Sequence, residues 1–529
     1  MPGLLLSALL LVLAYPPYDI GFLGLVALIP WLRSLETVVE GGGPVRRAWR
    51  SGWMLGFLFF GGTMWWLGYV TITGAVVLTA YLALYPAAFG TFVIWTLRRR
   101  AAEGLALAAL LASGWTLLEW LRSTLFTGLG WNLLAHTQWR GPFLQLADLV
   151  GVYGVSWLVA FLNAALWLSW RKGARRRVAV AAALLVVLAV GYAAARRAAV
   201  ERAVAAHPVL SVAVVQGNIP LEQSWDSQYV AKIASRYEEL TRQAAAGGAK
   251  LIIWPETSVP GLASDPEWRD WLTERSDEAG APLVVGAPWL EEHPGPRLFN
   301  SALLVRPVMG VVERYDKLHL VPFGEFLPGE QWWPALGRVR ERLPIGEFTP
   351  GTHPTVFQLP TDPPVEAGVL ICFEDVFPAI SRTMVRRGAR MLATITNDAW
   401  FGRTAAPIQH TQASVFRAVE HRVWMLRAAN TGYSCVIDPF GRVVAAVHDA
   451  AGRTIDIPGF QVVPVPVASA APTVYTRLGD WWLLVCGIFL ALAIHRRTGL
   501  GKRDWSLRSL RGYLKGMPVG PIREEEDRR

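Results

Sequence analysis

Three residues in this chain have the types and settings from which acyl-transfer chemistry is built. Cys372 closes an apolar run, 367–371, within VEAGVLICFEDVF, and a helical pattern follows Asp375 to about Gly388. A thiol at a strand end, facing a helix N-terminus, sits where the backbone lowers its pKa and favours the thiolate. Cysteine is also a common core residue, so this segment alone leaves a packing role open. Glu256 follows the apolar run of IIWPETSVP, and Lys317 lies in RYDKLHLVPFGEFLP. A thiol needs a base to become a nucleophile, and acyl transfer needs a cation or N–H donors for the oxyanion. A carboxylate, an ammonium and a thiol supply these parts without a histidine. Each falls at a corresponding point of a repeated strand-then-loop pattern.

The elements that must position them lie between about 205 and 470. Strand-length apolar runs are read at 209–215, 251–254, 282–287, 300–306, 311–315, 367–371 and 391–395. Helices are read at 228–246 and 408–429, and a hairpin at 434–439 and 442–447 around Gly441. Strands alternating with helices predict one α/β or α+β core. Polar residues gather where the strands end, as they do around a site at a sheet edge.

The rest of the chain is of another kind. Of its 529 residues 53% are hydrophobic and only 17% charged, which points to a membrane protein. Spans are read at 3–15, 20–33, 51–70, 74–97, 104–122, 150–170 and 178–195, with an eighth at 481–494. The 25 tryptophans suit bilayer interfaces. The net charge of +10 is carried largely by short clusters between apolar runs, such as 98–100, 171–177 and 496–503. That distribution is a positive-inside pattern, not a nucleic-acid face, and it puts both termini in the cytoplasm with 198–475 on the other side. Arg196, Arg197 and Arg202 depart from it. Three cysteines without CxxC or metal spacing indicate neither a disulfide framework nor a metal site, and no cofactor is expected. The boundaries that follow are a transmembrane part at 1–197, a catalytic domain at 198–475, a last helix at 476–495 and a charged tail at 496–529.

The motifs WPE, YDKLHLVPFGE, CFE, NDAWFG and QHTQASVFRAVEHR, with LAYPPYDIGFLGLVALIPWL and GVYGVSWLVAFLNAAL near the N-terminus, resemble the apolipoprotein N-acyltransferases, a membrane-embedded branch of the nitrilase superfamily. The resemblance spans roughly 1–495. It implies a polytopic helical domain of about eight spans joined to an extracytoplasmic four-layer αββα sandwich. It implies Glu256 as general base, Lys317 as oxyanion stabiliser and Cys372 as nucleophile. Glu325 is implied as a second carboxylate against the lysine, Glu374 as a structural or access-loop residue, and Trp225 at the mouth of the site. Phe373, Asn300, Asn397 and Trp400 match positions near the site. Leu129 and Gly130, before Trp131, depart from the usual Phe-Pro-Trp and leave the shape of the outer loop open. The implied reaction moves an acyl chain from a phospholipid, through a thioester, to the α-amine of a diacylglyceryl-cysteine on a lipoprotein. A bacterial inner-membrane monomer without nucleic-acid partners is expected. Trp332, Trp333, Leu336 and Leu343 suggest an arm that dips into lipid, or an ordinary packed loop. Two other readings stand beside it: a tethered amidase or nitrilase using water as acceptor, and a transporter with an inert outer domain.

Overall fold

The computed structural model describes residues 1–170, 175–204, 207–224, 226–330, 346–361, 364–467 and 472–498. The N-terminal part is helical: α1 (Pro2–Leu13), α2 (Ile29–Glu40), α3 (Val45–Thr63), α4 (Ile72–Leu82), α5 (Leu84–Arg99), α6 (Gly104–Arg122), α7 (Ala147–Ser169) and α8 (Arg175–Val204). Among the described residues five stretches are long and apolar enough to cross a membrane: Gly21–Glu40, Ile72–Arg99, Gly104–Arg122, Pro142–Ser169 and Arg176–Arg202. Pro2–Leu13 and Trp481–His495 are shorter apolar helices. The run read as a span at 20–33 opens on a 3-10 turn, Gly21–Leu25, and continues into α2, inside the Gly21–Glu40 stretch. Large apolar side chains stand open on several helices, among them Leu9, Val77, Leu188 and Leu484. A water-facing surface rarely carries so much contiguous apolar area, whereas lipid accepts it.

The described residues of the second part contain twelve strands in two sheets. They are β1 (Val209–Gln216), β2 (Leu251–Ile253), β3 (Leu283–Glu291), β4 (Arg297–Arg306), β5 (Gly310–Asp316), β6 (Val356–Leu359), β7 (Val365–Ile371), β8 (Met391–Thr396), β9 (Trp424–Ala429), β10 (Cys435–Ile437), β11 (Val443–Ala446) and β12 (Gly459–Pro466). Their orders are β12-β1-β2-β3-β4-β5 and β11-β10-β9-β8-β7-β6. Each sheet has three parallel strands at its centre, β1–β3 and β7–β9, with antiparallel strands outside them. The helices of this part are α9 (Leu221–Ser224), α10 (Val230–Ala246), α11 (Pro266–Ala279), α12 (Pro378–Arg386) and α13 (Ala406–His421), before α14 (Val474–Leu478) and α15 (Trp481–Thr498).

Alternation along β1 shows how the layers stack. Val212 and Val214 join a cluster with Val369, Ile371 and Ile395 of the other sheet. Ala213 and Val215 point the opposite way, onto Ile233 and Tyr237 of α10 and Leu272 of α11. With α12 and α13 against the second sheet, the order is helix, sheet, sheet, helix. The helix read at 408–429 is corrected. It ends at His421, Arg422 takes a left-handed conformation (φ 56°), and β9 begins at Trp424. The fully buried WMLRAA has no polar alternation, so its pattern does not distinguish a central parallel strand from a continuing helix. The helical pattern after Asp375 is likewise broken at Phe377, between a 3-10 turn and α12.

Helix α13 ties the two parts together. All its residues but Ile408 are buried. Gln409 uses its whole hydrogen-bonding capacity on the helical part. Its Oε1 accepts from Trp66 Nε1 and Trp131 Nε1, both at 3.0 Å, and its Nε2 donates to the carbonyls of Pro16 and Thr63, both at 2.9 Å. At the other end Arg422 Nε meets Asp148 Oδ2 at 2.9 Å, with both side chains 1% exposed. Asp148 also holds Arg196 at 2.6 Å, which gives that arginine a structural partner where the charge pattern left it unexplained. Replacing Gln409 by Leu strands two indole donors and two carbonyls in the interior. The expected loss is at least about 4 kcal/mol, since each of the four unsatisfied buried groups costs ~1–3 kcal/mol. A lowered thermal midpoint of the detergent-solubilised protein reads it, and an unchanged midpoint contradicts the pin.

Candidate active site

The residues that can do chemistry come from strand ends of both sheets. Glu256 lies three residues beyond β2, Asn300 on β4, Lys317 one residue past β5, Cys372 one past β7, and Asn397 one past β8. The 3-10 turn Cys372–Val376 follows the nucleophile candidate directly.

Lys317 is 1% exposed and sits between two carboxylates, with Nζ 2.9 Å from Glu325 Oε1 and 3.3 Å from Glu256 Oε1. Asn300 Nδ2 donates to the same two oxygens, each at 2.8 Å. The backbone N–H of Val321 reaches Glu325 Oε2 at 2.7 Å, and that of Asn397 reaches Glu256 Oε2 at 2.8 Å. Burial opposes the charge on Lys317, yet Glu325 and Glu256 hold its pKa above the ordinary lysine value.

Cys372 takes a left-handed backbone conformation (φ 54°), which costs a non-glycine residue about 1–2 kcal/mol. The expectation of a lowered thiol pKa is corrected. Burial and the charge of Glu256 push it up, and Lys317 and a hydrogen bond with Thr396 only partly offset them. The helix start that was to stabilise a thiolate is a five-residue 3-10 turn, too short to carry a substantial dipole. The resting group is a thiol.

Glu374, fully buried, accepts from Tyr315 Oη on both oxygens (2.9 Å), from the N–H groups of Leu318 (2.7 Å) and His319 (3.2 Å), and from Ile371 N–H (2.8 Å). It therefore ties the loop after Lys317 to the strand that carries Cys372. Burial pushes its pKa up to about 7 against those donors. Phe373 packs edge-on against Phe377 at 5.0 Å. Trp400 is 43% exposed and shares none of these hydrogen bonds among the described residues. Trp225, Trp332, Trp333, Leu336, Leu343 and the tail from 499 lie outside the described residues. The two residues after Lys317, Leu318 and His319, help line a cavity of about 630 Å³ together with Thr127, Leu327 and Phe348, among others. No group of three or more metal-ligating side chains occurs among the described residues.

Sequence reasoning missed a second cluster behind Cys372. Arg427 is fully buried, 3.1 Å from Asp375 Oδ2 and 3.2 Å from Asp398 Oδ2. His410 lies between the same two aspartates, 2.9 Å from Asp375 Oδ1 and 3.2 Å from Asp398 Oδ1. The signal available was one of type, in that four ionisable residues sit within otherwise apolar buried segments.

Two stacked sheets carrying a carboxylate, an ammonium and a thiol at one edge, grafted onto apolar helices, define a membrane-associated member of the nitrilase class. The comparisons agree for each part. The Carbon-nitrogen hydrolase model matches residues 211–457, and the Apolipoprotein N-acyltransferase N-terminal domain model matches 7–165. A Geobacter metallireducens protein named apolipoprotein N-acyltransferase is 37% identical over 525 residues, covering 93% of this chain and 95% of its own. A Rhizobium meliloti protein of the same name is 34% identical over 517 residues, covering 93% and 94%. Among solved structures, an amidase from Nesterenkonia sp. aligns at TM-score 0.36 and 21% identity, covering 52% of this chain and 95% of its own. The chain belongs to the apolipoprotein N-acyltransferase family.

Gly286 on β3 is where the backbone has no room to spare. A Cβ there would stand 2.4 Å from the Pro255 carbonyl oxygen and 2.5 Å from Glu256 Cα. Gly286→Ala is expected to shift Glu256, lowering turnover at least about 10-fold while costing about 1–3 kcal/mol of stability. Paired turnover and melting measurements check this, and wild-type turnover in the variant contradicts it.

Proposed function

We propose that this protein moves a fatty acyl chain from a phospholipid to the α-amine of the N-terminal diacylglyceryl-cysteine of lipoproteins. The observation that carries the reading is Lys317, buried between Glu256 and Glu325 beyond the strands of one sheet, with Cys372 just beyond a strand of the other. Glu256 takes the thiol proton of Cys372, and the sulfur attacks the ester carbonyl. Lys317 and the N–H of Phe373 stabilise the tetrahedral oxyanion. As it collapses, the C–O bond breaks, Glu256 returns its proton to the leaving oxygen, and a lysophospholipid departs. Cys372 then carries the acyl group as a thioester. The amine attacks that thioester, Glu256 accepts the amine proton, the C–S bond breaks, and the thiol is restored with the amide formed. Two half-reactions through one covalent intermediate give ping-pong kinetics.

The membrane arrangement belongs to the same proposal. Eight helices cross the bilayer, seven before residue 198 and one at 476–495. Both termini are cytoplasmic, and the 198–475 domain meets the outer leaflet of a bacterial inner membrane. The protein acts as a monomer. Acyl chains keep both substrates in that leaflet, and the largely apolar cavity lined by Leu318, Leu327 and Phe348 offers them a way toward the site. Exclusion of water there favours the amine as acceptor. Glu325 and Asn300 hold Lys317 and Glu256 in register, and Glu374 fixes the loop between them and Cys372.

Incubation with phospholipid and no acceptor is expected to add one fatty-acyl mass to the peptide containing Cys372, removable by hydroxylamine and by a diacylated lipopeptide amine. An unmodified Cys372 in folded protein sinks the reading. Lys317→Ala removes the ammonium from between Glu256 and Glu325. That variant is expected to insert in the membrane but form the acyl-enzyme about 10²–10³-fold more slowly. A normal rate would remove Lys317 from the oxyanion role.

A further inference from the structure

His410 is not used by the mechanism above, yet it touches the backbone of the nucleophile. Its Nε2 lies 3.3 Å from the carbonyl oxygen of Cys372. Around Nε2 the structure places only acceptors, this carbonyl and Asp375 Oδ1, so the ring proton on that side belongs to Nε2. Asp375 Oδ1 finds no aligned hydrogen-bond donor, which leaves the Cys372 carbonyl as the aligned acceptor. The opposite face of the ring is fixed as well. Nδ1 is 2.7 Å from Arg427 Nη2, and Arg427 is itself held by Asp375 and Asp398. The Trp131 ring, from the helical part, lies against the imidazole with centroids 5.1 Å apart.

The Cys372–Phe373 peptide is trans and planar, so its C=O and N–H point in opposite directions. Whatever holds the carbonyl oxygen sets the direction of the Phe373 N–H. Phe373 is the second residue of its 3-10 turn, where an N–H has no partner within the turn. Cys372 adopts a left-handed conformation that its own chemistry does not favour, so an external group must hold the plane.

We infer that His410 is a positioning residue: by holding the carbonyl of Cys372 it aims the Phe373 N–H at the developing oxyanion. This rests on the reading of Cys372 as nucleophile and Phe373 N–H as oxyanion donor. The separation of His410 from the reacting atoms makes the inference testable. Acylation of Cys372 passes through an oxyanion, whereas alkylation by iodoacetamide is a displacement at carbon and forms none. Both need the same thiolate.

The test uses the full-length protein in nanodiscs of mixed phosphatidylethanolamine and phosphatidylglycerol. Acyl mass gained at Cys372 and iodoacetamide alkylation are timed side by side. His410→Asn keeps a polar group near the Nδ1 position only, and its acylation is expected to fall about 10–100-fold, with alkylation unchanged within about twofold. His410→Gln brings an amide N–H to the Nε2 position and is expected to recover most of the lost rate. Parallel loss of acylation and alkylation would place His410 at the thiol or in the fold and overturn the inference. So would full acylation in the Asn variant, or equal rates for Asn and Gln. If the wild-type protein is alkylated but takes no acyl mass, the phospholipid reading has failed. The same pair of rates with a small amide, which also passes through an oxyanion, then decides the role of His410.

Discussion

An ammonium group buried between two carboxylates sets the terms for the rest of this site. Lys317 alone in the interior would lose its proton, and Glu256 and Glu325 would repel each other without it. Asn300 bridges the two oxygens that face the lysine. Burial and Glu256 together push the Cys372 thiol pKa up. On the proposed mechanism the nucleophile is therefore made on demand. Moving the proton from sulfur to Glu256 leaves the total charge unchanged, so the low-dielectric site need not take in or release charge during the step.

The two parts of the molecule share one interior. The cluster that fills the space between the sheets runs on through α13 into the helical bundle, joining Val369 and Ile395 to Val415 and Phe416 and on to Val155 and Leu158 of α7. Polar anchors punctuate it, with Gln409 at one end of α13 and the Arg422–Asp148 pair at the other. Glu420 adds a third, accepting the Val152 N–H at 2.9 Å. An active site whose back wall is a helix shared with the membrane part has little freedom to shift relative to that membrane.

Much of this was legible in the sequence because it rests on short-range patterns. β1, β2, β7 and β8 are apolar runs ending in polar residues, and Glu256, Lys317 and Cys372 stand at or just beyond such ends. What was not legible depends on contacts far apart in the chain. β12 pairs antiparallel with β1 across some 250 residues, and the two prolines of VVPVPV argue against a strand until that edge position is known. β9 merged with the preceding helix because burial on every side erases periodicity. The thiol pKa was misjudged because a local cue, the helix start, was weighed without the distant carboxylate. The group of His410, Asp375, Asp398 and Arg427 escaped for the same reason: in one dimension its members are isolated polar residues, and only the fold makes them a set.

Gln409 has a consequence for the order in which the protein is made. Its four partners lie on segments synthesised hundreds of residues earlier, at Pro16, Thr63, Trp66 and Trp131, and the residue after it touches the backbone of Cys372. A chain whose sandwich closed before its first helices had gathered would leave that corner unsatisfied and the nucleophile unsupported. The surroundings of Cys372 are thus complete only when early and late segments of the chain have come together, so the site and the apolar helices form as one unit.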